Sequence, residues 1–242
     1  MPSFSPDAEL VTSADDADQL AIWNAGTGVC LRTLKKHTQE ITGTCFNNDG
    51  SLLATGSRDG NVIIWDVKTG GVIRTHNNII GITSLQFNPV GTKLVMGNEA
   101  GIGHLWDVGS GKEEALFMHK RNIKALAFNP SGDKLVSSVI EFKGGGKLFF
   151  WNLSKLHEKT AYQTRNFNEN IHRVYWPQEQ HVVTTSPEDG VSFWNTQSLK
   201  KESLWSVDQC KAYYAALNAD GKKMVTAAGD RYQLSIWDLY LD

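Results

Sequence analysis

The chain has 242 residues, 40% of them hydrophobic, with a formal net charge of −2 and three cysteines. So near-neutral a balance provides no general field for nucleic acid or an anionic membrane. Cys30, Cys45 and Cys210 lack the paired short spacing of a disulfide framework or a zinc site. No apolar run approaches the ~18 residues a membrane helix needs, and MPSFSPDAEL has no basic-then-apolar leader. The expectation is a soluble intracellular chain without a membrane span, cytoplasmic, with the nucleus left open.

In chain order, the first β-type runs are LVTSA, QLAIW and GVCLRTL, preceded by almost nothing in Met1–Phe4. Residues His37–Asp66 are the most regular stretch. ITGTCF is closed by Asn-Asp-Gly, LLATGS by Asp-Gly, and NVIIW ends on Trp-Asp. Asp-Gly between alternating apolar runs signals a hairpin, because glycine reaches positive φ without steric cost. The third copy runs through LVMGN and IGHLW, the fourth through LVSSV and KLFFW, the fifth through VVTTS and GVSFW. The sixth has KAYYAAL, MVTAA and QLSIW and then stops at Asp242.

Tryptophans mark the beat. They stand at 23, 65, 106, 151, 194 and 237, at spacings of 42, 41, 45, 43 and 43, and each is followed by Asp or Asn. No stretch carries a helical period. A period near forty residues with three or four short strands per copy means small sheets that cannot bury both faces alone and must stack on their neighbours.

On these residues the whole chain, 1–242, resembles the Trp-Asp (WD) repeat family as a single domain. The resemblance implies an all-β propeller of six blades, each a four-stranded sheet with strands a to d counted from the channel outward. The first blade lacks most of strand a and the last lacks strand d, so the ring is expected to be open or incomplete. Two accounts fit: a piece of a longer propeller, or a ring that another chain completes by adding strands.

The family's buried hydrogen-bond set matches His37, Ser57, Asp59 and Trp65 in the second repeat. Indole donates only, a serine both donates and accepts, and the carboxylate accepts from the imidazole, so the set can close in a dry interior. Ser, His and Asp also suggest hydrolytic chemistry, but a set internal to a blade has neither cleft nor oxyanion donors. Elsewhere it decays: His76 is followed by Asn98 and Ala100, His119 by the loop IEFKGGGK, and Ser186 and Asp189 have no histidine before them. The Gly144-Gly145-Gly146 run joins two strands, with no helix for a phosphate to sit on, and reads as a hairpin tip.

The d–a and b–c loops share the face that the family commonly uses for partners. Candidates there are Arg58, Glu99, Lys120, Arg121, Phe142, Lys143, Asp189, Arg231 and Tyr232, with Asp15, Asp16 and Asp18 making the first blade acidic. The seven histidines show no sequence spacing of metal ligands. The resulting expectation is a non-enzymatic scaffold or adaptor with protein partners and no cofactor, metal, nucleic acid or small-molecule substrate. The alternatives are a methyl-lysine or phospho-motif reader or a phosphoinositide-binding propeller, although the Phe-Arg-Arg-Gly motif of the latter is absent.

Overall fold

Short antiparallel hairpins run the length of the chain. The structure, a computed structural model, describes residues 2–77, 80–140, 145–158, 163–167, 170–186, 190–205, 212–217, 222–228 and 233–238. Contacts divide it into two compact units, Met1–Ile123 and Lys124–Asp242.

The first unit holds three sheets. Blade one is β1 (Ser3–Phe4), β2 (Leu10–Ala14), β3 (Gln19–Asn24) and β4 (Cys30–Lys35). Blade two is β5 (Ile41–Phe46), β6 (Leu52–Ser57), β7 (Asn61–Asp66) and β8 (Val72–Asn77). Blade three is β9 (Ile82–Phe87), β10 (Lys93–Asn98), β11 (Ile102–Asp107) and β12 (Glu113–Met118). Each is a four-stranded antiparallel meander. Strand β1 is only two residues long, pairing Ser3 with Thr12 and Phe4 with Val11, which is as little of strand a as Met1–Phe4 leaves room for.

The second unit repeats the plan. Blade four is β13 (Ile123–Phe128), β14 (Lys134–Ile140), β15 (Gly146–Asn152) and β16 (Gln163–Phe167), with a 3₁₀ turn at Leu153–Glu158 that the sequence did not signal. Blade five is β17 (Arg173–Gln178), β18 (His181–Ser186), β19 (Gly190–Asn195) and β20 (Lys201–Trp205). Blade six is β21 (Ala212–Leu217), β22 (Lys223–Ala228) and β23 (Gln233–Asp238), a three-stranded sheet among the described residues.

Strand β7 shows why the run before its tryptophan is apolar throughout. Val62, Ile63, Ile64 and Trp65 are all buried, and alternate residues serve different cores. Ile63 and Trp65 pack with Leu20, Ile22 and Leu34 of blade one. Val62 and Ile64 pack with Ile82, Leu85, Leu94, Met96 and Trp106 of blade three. A strand covered on both faces loses polar alternation. In the second unit, Leu148 and Phe150 meet Ile171, Val174 and Trp176 in the same way.

Polar clasps join neighbouring blades of the first unit. The Thr42 hydroxyl lies 3.1 Å from Gly56 O in its own blade and 2.6 Å from Ile82 O in the next. Arg32 on β4 donates through Nε to Val67 O at 3.2 Å and through its guanidinium to Lys68 O, in the β7–β8 turn. Arg74 on β8 repeats this with Val108 O, at 2.9 Å, and Gly109 O in the β11–β12 turn.

Candidate functional site

Blade two contains a buried chain of four polar side chains. Trp65 stands opposite Leu53, and its Nε1–H donates to Thr55 Oγ1, two residues further along β6, at 2.9 Å. Thr55 Oγ1 is 2.8 Å from His37 Nε2, and His37 Nδ1 is 3.0 Å from Asp59 Oδ2. Because indole can only donate, the order that satisfies every group runs Trp65 to Thr55 to His37 to Asp59. The Asp59 carboxylate also accepts the Thr38 N–H at 2.9 Å and the Asn61 N–H at 2.8 Å. The His37 and Asp59 side chains are 1% and 4% exposed. Burial works to raise the Asp59 carboxyl, yet the Thr38 and Asn61 amides and the His37 bond outweigh it and hold it below the usual value.

The expected set is therefore corrected at one position: Thr55, not Ser57, links the indole to the imidazole. A diagonal neighbour two residues along the partner strand is within an indole's reach; Ser57 lies two further on. The Ser57 hydroxyl instead donates to Gln39 O at 2.8 Å and accepts the Asp59 N–H at 3.0 Å, fixing the Asp-Gly turn that presents the carboxylate. His76 is a second correction. It lies on β8 opposite Val62, as Leu34 lies opposite Leu20, three places before the position equivalent to His37. Its ring centroid is 5.2 Å from that of Trp106.

The tryptophan–hydroxyl bond recurs in Trp23–Ser13 at 2.8 Å, Trp151–Ser137 at 2.7 Å and Trp194–Thr184 at 2.8 Å. Blade three breaks the rule. The position two beyond Leu94, the partner of Trp106, is Met96, and Trp106 Nε1 has no acceptor among the described residues.

The loop face of the first unit brings several candidate residues together. The Arg58 N–H donates to Glu40 O at 2.9 Å, and the Glu99 N–H to Gly81 O at 3.0 Å, so each b–c turn is tied to the adjacent d–a loop. Arg58 Nε also meets Glu40 Oε2 at 3.0 Å, with both side chains well exposed. Gly81 sits between the two turns; a Cβ there would stand 3.3 Å from Arg58 Cα and 3.4 Å from the Glu99 carboxyl carbon. Gly101, at φ +81°, is pressed against the carbonyls of Arg121 and His119, leaving Lys120 exposed and Arg121 half-buried. Burial lowers His119 to about 4. Phe142, Lys143, Asp189, Arg231 and Tyr232 lie outside the described residues.

The WD domain, G-beta repeat model matches residues 28–66, the stretch that runs into β7. Over that stretch the chain is similar to the WD-repeat family. Periodic tryptophan protein 2 of Arabidopsis thaliana is 35% identical over 66 residues, which is 27% of this chain and 7% of that protein. The homologue in Schizosaccharomyces pombe is 38% identical over 66 residues, again 27% of this chain and 8% of that one. The human intraflagellar transport protein 122 homolog is 33% identical over 84 residues, 34% of this chain and 7% of its own length. The match thus spans less than a tenth of these relatives. A chain in a crystal structure of the mitotic checkpoint complex superposes with a TM-score of 0.86 at 22% identity, covering 99% of this chain and 74% of that chain. This likeness speaks for the WD-repeat propeller fold alone. Among the described residues no helix is long and apolar enough to cross a membrane.

One group escaped the sequence reading. His76 on β8, His104 on β11 and Glu113 on β12 bring their donor atoms within 4.8 Å of one another. Burial and the neighbouring His104 lower His76, against a smaller opposing pull from Glu113. Their signal was positional: a histidine two residues before Trp106, where the second repeat has Ile63.

Proposed function

We propose that this chain is a non-enzymatic, intracellular scaffold or adaptor subunit that engages protein partners through the loop face of its blades. The observation that carries this is the tying of successive turns at Glu40–Arg58 and Gly81–Glu99, which holds exposed Arg58, Glu99 and Lys120 on a rigid frame. Charged side chains presented without loop disorder give partner selectivity at low ordering cost. A relative by fold taken from a multiprotein complex supports the same reading. A second contact belongs to β23, where Leu234 and Ile236 are each 75% exposed and the strand has a single partner among the described residues. An added strand from a partner, or from more of the same polypeptide, satisfies such an edge.

The test is affinity capture with quantitative mass spectrometry on wild type, Arg58→Glu/Lys120→Glu, Leu234→Lys/Ile236→Lys, and a control reversal at exposed Lys112. The reading expects the first variant to lose partners that the control keeps. Identical partner sets for wild type, rim variant and control would overturn it.

A further inference from the structure

Two junctions between blades of the first unit share a plan but differ in chemistry. At the junction of blades one and two, Leu34 on β4 and Ile63 on β7 lie in one apolar cluster with Trp65. At the junction of blades two and three the equivalent places are taken by His76 on β8 and His104 on β11. The two imidazole rings stand edge to face, with centroids 5.8 Å apart at 63°. Glu113 adds a carboxylate: its Oε2 is 2.5 Å from His104 Nδ1, with the two side chains 33% and 13% exposed. Replacing two close-packed aliphatic positions by imidazoles and facing them with a carboxylate sacrifices apolar burial, which needs a compensating bond.

We infer that His76, His104 and Glu113 form a binding site for a divalent late transition ion of the zinc type, which staples β8 of blade two to β11 and β12 of blade three. Two imidazole nitrogens and one carboxylate oxygen form a three-ligand set suited to zinc, which leaves the fourth tetrahedral position for a water. Arms of about 2.1 Å place tetrahedral donors about 3.4 Å apart. The present spread, within 4.8 Å, is about 1.4 Å wider at most than this spacing. The 2.5 Å contact between His104 and Glu113 must open by about 1 Å for an ion to take the place of that hydrogen bond. Trp106, whose ring is 5.2 Å from His76, supplies an apolar floor on the protein side. The ligands come from three strands of two sheets, so no spacing along the chain betrays them.

The experiment titrates zinc chloride into the chelator-stripped full chain by calorimetry, alongside thermal melts and the visible spectrum of the cobalt(II)-loaded form. Wild type is expected to bind one equivalent, to melt higher with zinc, and to give the intense visible bands of tetrahedral cobalt. Glu113→Gln, on a partly exposed side chain, should weaken binding by more than the 10–100-fold typical of a group that merely orients a ligand. His104→Gln should abolish the cobalt bands. Glu202→Gln, which removes the partner of His181 in a histidine–glutamate pair of blade five, should leave all three readouts unchanged. No stoichiometric binding by wild type overturns the inference, as does binding that survives both Glu113→Gln and His104→Gln.

Discussion

Blades two and three have the same strands in the same order, yet they secure their central tryptophans by different means. In blade two a hydroxyl at Thr55 receives the Trp65 indole proton and passes a bond on to His37 and Asp59. In blade three Met96 occupies that place, and the Trp106 indole packs among Ile82, Leu94 and Met96 with its N–H unpaired among the described residues. A propeller blade therefore tolerates loss of its polar chain provided the apolar faces remain covered. The polar chain adds definition to a core that burial has already assembled.

The comparison can be broken most forcefully at Asp59. Asp59→Ala leaves the His37 ring and the Thr38 and Asn61 amides without their acceptor, so chemical denaturation should show a loss of about 2–3 kcal/mol. An unchanged midpoint would mean the chain contributes nothing. Acidification tests the rim of blade three. His119 is held to about 4 by burial, against 6.5 when free. The unfolded state then binds the extra proton first, so stability is complete above 6.5 and falls as pH drops from there toward 4, by about 3 kcal/mol. His119→Gln should flatten that part of the urea-midpoint profile. Asp59 acts in a lower window, because its contribution is present above the usual carboxylate value of 3.8 and is lost as pH falls through its depressed folded value.

A sharper contrast comes from one substitution made twice. Trp65→Phe loses a hydrogen bond that Trp106→Phe does not, so the first should cost about 1 kcal/mol more than the second in matched melts. Equal costs would remove the distinction between the blades. The smallest effect belongs to Arg58→Ala. Its pair with Glu40 is exposed on both sides, so stability should change by less than about 0.5 kcal/mol while partner capture falls.

The fold was legible because burial on both faces of strand c leaves a largely apolar run ending in Trp in every copy, and because Asp-Gly turns mark both inner hairpins of blade two. Gly60 adopts φ +82° at the turn between β6 and β7, as such a turn requires. The hydrogen-bond chain was legible in kind but not in register. Thr55 and Ser57 lie on the same face of β6, and only the pairing of Leu53 with Trp65 decides which hydroxyl the indole reaches. His76 was misplaced for a related reason: counting back from strand a cannot tell the end of strand d from the loop beyond it. The ligand triad was illegible altogether, since its members meet only when two sheets stack.

The arginine clasps have a direction. Arg32 reaches from blade one into a turn of blade two, and Arg74 from blade two into a turn of blade three, each ahead along the chain. A blade's outermost strand is thus anchored by its successor and owes its predecessor no such debt. Excising blade three would strand the Arg74 guanidinium and loosen β8, whereas excising blade one would leave that anchor whole. Under nearest-neighbour energetics, the arginine clasps make fraying from the two ends of this unit unequal.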